Sequence, residues 1–172
     1  MPTLEEMVNG VGTIPFRGLV YRHIAPHRGC TSGEGARQAG GRWNPPDSFP
    51  VMYTALDETT VLQEFYRLAE RSGLAVENFL PRTLCVIEVD VAAVLDLRNP
   101  QNLTSVGLTP EQLRSFSMRE CQAVGDAAHR LDLEGVLAPS ATGAGNVLAV
   151  FELKLRNTSR VIEVQRRPLS VP

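Results

Sequence analysis

The sequence predicts a single mixed α+β domain, and three observations predict it. Its 172 residues are 43% apolar, the size and composition of one compact domain with a core of ordinary proportion. Short β-branched and aromatic runs alternate with a few stretches of helical spacing, in an order that suits no regular doubly wound sheet. No internal repeat, low-complexity tract or linker interrupts them.

Met1 to Pro15 is a weakly patterned lead-in, with a short helix expected around Leu4 to Val8. Leu19 to Ile24 has the composition of a strand, and the glycine-rich stretch from Gly29 to Gly41, which lacks apolar periodicity, is expected to be an ordered loop. Pro45-Pro46-Asp47 marks a turn, and Val51 to Thr54 is a second short strand. Asp57 then caps a helix in which Val61, Leu62, Phe65, Leu68 and Ala69 fall at helical spacing, and Gly73 stops it. Thr83 to Val89 and Val94 to Leu97 are expected as strands, broken near Ala92-Ala93 by a bend or bulge, with Asn99-Pro100 closing that section. Thr109-Pro110-Glu111 opens a helix to about Phe116, and Arg119 to Leu131 forms another. Gly135 to Ala138 and Val147 to Leu153 flank a loop from Pro139 to Asn146 and are expected as buried strands, with Val161 to Val164 one more.

Composition narrows the function. The longest apolar runs, such as Val91 to Leu95, fall far short of the roughly 20 residues of a membrane-spanning helix, so a cytoplasmic protein with no membrane partner is expected. Cys30, Cys85 and Cys121 are odd in number and widely spaced, and are expected to be three free thiols. His23, His27 and His129 make no metal-ligand spacing with them, so no metal is expected. A net charge of −2 and a pI of about 5.9 argue against a nucleic-acid-binding surface, and the lack of a His or Asp cluster against a nuclease. The charge is uneven, however. Residues 17 to 42 hold Arg17, Arg22, Arg28, Arg37 and Arg42 against Glu34 alone, a net +4 that leaves −6 for the rest of the chain. Such a cluster is either a solvated face or a pocket where arginine grips an anionic small molecule.

Gly33-x-Gly35 starts like a dinucleotide-binding fingerprint, but the third glycine position is Gln38 and no long helix follows. Gly40-Gly41 beside Arg42 and Trp43 would instead let backbone approach a ligand while a guanidinium meets phosphate and an indole packs on a ring. Ser140 lies in Pro-Ser-Ala and not in a nucleophile elbow, so it is a hydrogen-bond donor rather than a nucleophile. Glu64 falls at the buried edge of its helix, where a carboxylate is either the ion-pair partner of an arginine or an acid at a pocket wall.

Taken together, Tyr21-Arg22, Gly33-Glu-Gly-Ala36, Gly40-Gly-Arg-Trp-Asn44, Val51-Met-Tyr-Thr54, Glu64, and Pro139-Ser-Ala141 leading into Gly145-Asn146 resemble the RES-domain family, named for an Arg, a Glu and a Ser. The resemblance implies a fold similar to the ADP-ribosyltransferases and a toxin of a bacterial toxin–antitoxin pair that destroys NAD, as a phosphorylase or a glycohydrolase. It implies that Arg22 contacts the pyrophosphate or ribose of NAD, that Arg42 adds a second phosphate contact and that Trp43 lines the dinucleotide site. Tyr53 would stack near nicotinamide, Glu64 would be the catalytic glutamate, Ser140 the family serine, and Asn146 a further pocket residue. NAD is then a substrate, inorganic phosphate a co-substrate, and no cofactor is held permanently. The implied partner is an antitoxin with a helix-turn-helix DNA-binding domain and a tail that blocks the pocket, in an oligomeric complex, so that any DNA contact belongs to the partner. On this reading residues 1–18 are the lead-in, 19–165 the NAD-binding catalytic domain and 166–172 a tail. An ADP-ribosyltransferase acting on a protein or small molecule, and a non-catalytic nucleotide-binding module, are the alternatives that the same residues allow.

Overall fold

The computed structural model describes residues 1–172. Helices and strands follow one another as α1 (Leu4–Val11), β1 (Ile14–Ile24), α2 (Glu34–Ala39), β2 (Val51–Ala55), α3 (Glu58–Ser72), β3 (Thr83–Asp96), α4 (Pro100–Ser105), α5 (Pro110–Arg114), α6 (Arg119–Arg130), β4 (Gly135–Pro139), β5 (Asn146–Phe151) and β6 (Arg160–Pro168).

Local signals set most of these boundaries. The Asp57 carboxylate accepts the Thr60 N–H at 2.7 Å, and Gly73 ends α3 in the left-handed region. Thr109 and Gln112 cap α5 reciprocally, with Pro110 at its first position. Asn99-Pro100, expected only to close a strand, caps α4 in the same way, Asn99 accepting the Gln101 N–H at 2.8 Å. The segment expected to be loop from Gly29 to Gly41 contains α2, whose six residues are too few to show an apolar period. β1 begins at Ile14 and β6 runs to Pro168, beyond their apolar runs, because the added residues pair with β3 through backbone, with Ile14 and Phe16 half-buried against the inner core and most of the other side chains exposed.

The strands β1, β2, β5, β4 and β3 form a ring. β1 lies antiparallel to β3 from Phe16 to Ile24, β2 to β5 and β5 to β4 are antiparallel, and β4 runs parallel to β3 at Val94–Asp96. The ring closes between β1 and β2 through one pair, Tyr21 with Ala55. β6 joins outside it, on β3 from Thr83 to Asp90. At Ala92-Ala93 the expected bend is a bulge inside one continuous β3: the step from Ile14 to Phe16 opposes the step from Val94 to Val91. Glu134, fully buried, explains it. One carboxylate oxygen accepts the N–H groups of Ala92 at 2.9 Å and Ala93 at 3.1 Å, and the other accepts the Arg156 N–H at 3.2 Å and the Ser159 hydroxyl. Four donors offset a desolvation that would otherwise cost several kcal/mol.

The inside of the ring is filled by Val20, Met52, Ile87, Val89, Leu137 and Leu148, all buried. Its outer face carries a larger cluster in which Trp43, Phe49, Leu95 and Phe151 pack against the helices α4, α5 and α6. Each fully buried aliphatic or aromatic side chain contributes about 1.5–3 kcal/mol. A small third cluster, Ala55, Val61 and Leu84, seats α3 beside the gap between β1 and β2.

The cysteines correct the expectation of three free thiols. Cys30 and Cys85 form a disulfide, and Cys121 alone is free and buried. Spacing in sequence could not reveal it, because the pair is made by the sheet: Cys85 stands opposite Arg22 in the β1–β3 register, and the chain leaving β1 turns back to lay Cys30 over it. The bond ties down the first residues of the glycine-rich segment.

Two outcomes test this fold. Thiol titration of the denatured, unreduced chain should count one thiol, and three after reduction; reduction should also lower stability by on the order of 4 kcal/mol for a closed loop of 55 residues. Glu134→Ala, which strands four donors, should destabilise the fold by about 3–5 kcal/mol in a urea titration.

Candidate functional site

A cavity of about 300 Å³, at the lower end of the range for small-molecule sites, opens where β1 and β2 part beyond their single pair. β1 supplies Tyr21, Arg22 and His23 to it, β2 supplies Tyr53, Thr54 and Ala55, and α3 covers one side. Val61, Glu64, Leu68 and Arg71 recur at three- and four-residue intervals and so share one stripe of α3, with Arg67 beside it.

Glu64 is half-buried at this wall, and its Oε1 accepts the Ser140 hydroxyl at 2.6 Å. Ser140 is itself buried and is held from behind: its Oγ accepts the Thr142 N–H at 3.1 Å and meets the Thr142 hydroxyl at 2.7 Å. The turn after β4 is fixed by Gly145, at φ 71°, where a Cβ would lie 1.9 Å from Thr60 Oγ1 of α3. Helix and turn therefore lock together, and the carboxylate they orient faces the cavity.

Arg22 donates through one terminal nitrogen to the carbonyls of Cys30 and Ser32, both at 2.9 Å, so the disulfide-anchored segment positions it. Burial lowers its pKa to about 10, opposed by the charge of Glu152, and it stays protonated at neutral pH. Its Nε is a buried donor without an acceptor, as is the indole Nε1 of Trp43, which is 1% exposed and packs in the larger core cluster. Arg42 lines the cavity while spending its terminal nitrogens on the carbonyls of Gln112, at 3.1 Å, and Ser115, at 2.7 Å, at the end of α5.

The Tyr53 hydroxyl accepts the Trp43 N–H at 2.8 Å and donates to Asn44 Oδ1 at 2.7 Å. Burial pushes its pKa up, so the phenol stays protonated while its ring faces the cavity. Gly41 lies flat on that ring, where a Cβ would come within 2.5 Å of it. From behind, Gln122 of α6 donates to the Gly41 carbonyl at 3.0 Å, and Gly125 one turn on leaves room for the Trp43 carbonyl, 1.9 Å from where a Cβ would stand.

Of the residues singled out from sequence, Arg22, Arg42, Trp43, Tyr53 and Glu64 are thus brought to one cavity, with Ser140 directly behind Glu64. Asn146 is not among the lining residues: it pairs with Pro139 and accepts the Leu56 N–H through its backbone. Sequence reasoning gave no pocket role to Tyr21, quoted only within the family motif, or to His23, weighed only as a metal ligand, and missed Arg67, Arg71 and Met118. For Arg67 and Arg71 a signal existed, since they lie three and seven residues beyond Glu64 on the same helix. Asn44 was passed over too. Fully buried, it donates to the carbonyls of Ala36, Pro45 and Phe49 and holds the turn that presents Arg42 and Trp43.

This cavity defines a class. Residues 19–171 match the RES domain family, and the chain belongs to it. It is 39% identical over 155 residues to the NAD(+) phosphorylase MbcT of Mycobacterium tuberculosis and equally to that of Mycobacterium bovis, a match covering 89% of this chain and 83% of theirs. Its structure is similar to a chain in the crystal structure of the M. tuberculosis MbcT–MbcA toxin–antitoxin complex, with a TM-score of 0.88, 37% identity, and 97% of this chain and 92% of that one covered. No helix is long and apolar enough to cross a membrane.

His23 carries a pH test of the cavity wall. Burial, reinforced by the charges of Arg82 and Arg22, lowers its pKa to about 3. Unfolding therefore takes up a proton at His23 between pH 6.5 and about 3, and its share of stability, full above pH 6.5, declines at roughly 1.4 kcal/mol per pH unit as pH falls through that window. The His23 ring resonances in an NMR titration should stay flat from pH 8 to pH 4.5.

Proposed function

We propose that this chain is an NAD-degrading toxin, a phosphorylase that cleaves the nicotinamide N-glycosidic bond and passes the ADP-ribosyl group to inorganic phosphate. One observation carries the reading: a carboxylate oriented by a serine faces a cavity whose arginines have no carboxylate partner. Arg22, Arg42, Arg67 and Arg71 line that cavity, and none of them takes part in any of the chain's ion pairs. The related MbcT, an NAD(+) phosphorylase found in a toxin–antitoxin complex, supports the same activity here.

The chemistry suits the residues. When the bond between ribose C1 and the nicotinamide nitrogen breaks, its electron pair stays on the nitrogen and the ring leaves neutral, so no acid has to protonate it. Positive charge develops on the ribose, where the Glu64 carboxylate stabilises it and holds the ribose hydroxyls. Ser140 acts through Glu64, fixing its rotamer. Arg22, with its unpartnered Nε, meets the diphosphate, and the Tyr53 ring packs on nicotinamide. An oxygen of inorganic phosphate supplies the electron pair of the new C1–O bond, and the product is a phosphorylated ADP-ribose.

On the same reading the fold is similar to that of the ADP-ribosyltransferases. The partner is an antitoxin with a helix-turn-helix domain, whose tail fills the cavity in an oligomeric complex in the cytoplasm. Asn146 remains a candidate for the rim.

The test is to incubate the purified chain with NAD, with and without phosphate, and to follow nicotinamide and the ribose product by mass. Phosphate-dependent release with a product heavier by one phosphate is expected. Glu64→Gln should lower the rate roughly 100-fold or more while leaving the far-UV spectrum unchanged. Label from NAD appearing on a protein acceptor would replace the phosphorylase by a transferase.

A further inference from the structure

Arg22 and the α3 pair Arg67 and Arg71 lie on opposite sides of β1, and Arg42 is held at the end of α5 beside Arg67. Side chains alternate along a strand, and Arg22 points with Val20 and Ile24 toward the inside of the ring, next to the disulfide. Tyr21 and His23 point the other way, to the face on which α3 packs, His23 meeting Phe65 of α3 edge-on at 5.2 Å between ring centres. Arg67 and Arg71 belong to that second side, one helical turn apart on the helix that also carries Glu64.

The four arginines also differ in how far their donors are used. Arg22 and Arg42 each make two good bonds to backbone carbonyls. Arg67 gives one nitrogen to the Arg114 carbonyl and lies 4.6 Å over the Phe116 ring, and Arg71 has only the Met118 sulfur at 3.8 Å. Arg67 thus has one carbonyl bond and Arg71 only a weak acceptor, and neither arginine is in an ion pair although Glu70 shares their helix. Elsewhere the chain pairs Arg17, Arg37, Arg98, Arg130, Arg156, Arg166 and Arg167 with carboxylates and leaves Arg28, Arg82, Arg114, Arg119 and Arg160 unpaired, so what marks Arg67 and Arg71 is their place at the cavity beside Glu64.

We propose that Arg67 and Arg71 form the binding site for inorganic phosphate, one and two turns from Glu64 on the cavity side of α3. The inference rests on the phosphorylase reading and deepens it. A glycohydrolase needs one cationic group, for the diphosphate of its substrate. A phosphorylase needs a second, beside the carbon under attack, to hold its nucleophile. The α3 pair fills that place because the same helix supplies the carboxylate that stabilises ribose C1, so a bound oxyanion lies next to the reacting carbon while Arg22 holds the diphosphate across the strand. Phosphate displaces the Met118 and Phe116 contacts, exchanging a thioether and a ring face for charge-assisted hydrogen bonds.

The experiment uses the full chain with Arg71→Ala, Arg71→Lys and the double substitution Arg67→Ala with Arg71→Ala, varying phosphate and NAD separately. The expected result is a KM for phosphate raised about 10-fold or more in Arg71→Ala, further in the double variant and less in Arg71→Lys, with the KM for NAD moved less than 2-fold. A raised KM for NAD with an unchanged KM for phosphate would overturn the proposal and give these arginines to the dinucleotide. No change in either would overturn it in favour of a purely structural role. A second arm reads binding without turnover: the phosphorus resonance of inorganic phosphate should broaden with the parent chain and not with the double variant, and equal broadening with both overturns the site. Should nicotinamide release by the parent chain prove indifferent to phosphate, the phosphorylase reading itself fails, and the binding arm alone decides whether the anion site exists.

Discussion

The ring of strands meets itself between β1 and β2 at one residue pair, and the rest of the site depends on that narrow closure. Two strands hydrogen-bonded along their length leave no room between them for a ligand. Joined only at Tyr21 and Ala55, they diverge, and side chains from both faces of β1 reach the opening. Exposed backbone at such a gap is costly in water-free surroundings, so something has to cover it. α3 does so on one side, seated by Val61 on Ala55 and Leu84, and it brings Glu64 to the rim as a consequence of the same packing.

Charge follows the same geometry. Along the outside, seven arginines are matched by carboxylates, mostly in exposed pairs that contribute little individually. Around the cavity, arginines are held by carbonyl oxygens, a sulfur and a ring, none of which cancels their charge. A chain with net charge −2 thereby maintains a cationic interior surface, and the single carboxylate there, Glu64, is kept in place by a neutral hydroxyl and not by an arginine. Of the two roles open to Glu64 from sequence, partner of an arginine or acid at a pocket wall, the geometry matches the second.

Much of this was legible in the chain before folding. Helix α3, from Asp57 to Gly73, showed its cap, its apolar period and its stop; the bulge at Ala92-Ala93 showed as an interruption between two apolar runs. Glu64 stood out as a carboxylate at the buried edge of its helix and Arg22 within the arginine cluster, whereas Tyr53 was named only through the resemblance to the RES-domain family. What stayed hidden is what only three dimensions create. The Cys30–Cys85 bond spans 55 residues and depends on the β1–β3 register. Glu134 carries no local mark of its task, since its donors come from Ala92, Ala93, Arg156 and Ser159. Arg67 and Arg71 are common residues for an exposed helix, and became informative only once α3 was turned toward the cavity. Two readings of motif were too narrow: the glycine-rich segment hid the short helix α2, and Asn99-Pro100 carried the same cap-and-proline signature that was recognised ten residues later at Thr109-Pro110.

The close contact between Gly125 and the Trp43 carbonyl has a consequence for how the site is inherited. The turn carrying Arg42 and Trp43 is suspended from α6, a helix more than 75 residues further along the chain, none of whose residues lines this cavity. Any side chain at Gly125 pushes that helix away and takes the suspended turn with it. In a random mutagenesis screen scored by loss of activity, Gly125 and Gln122 would therefore cluster with the ligand-facing residues while touching no ligand, and a family tree built from the cavity residues alone would overlook the positions on which their geometry hangs.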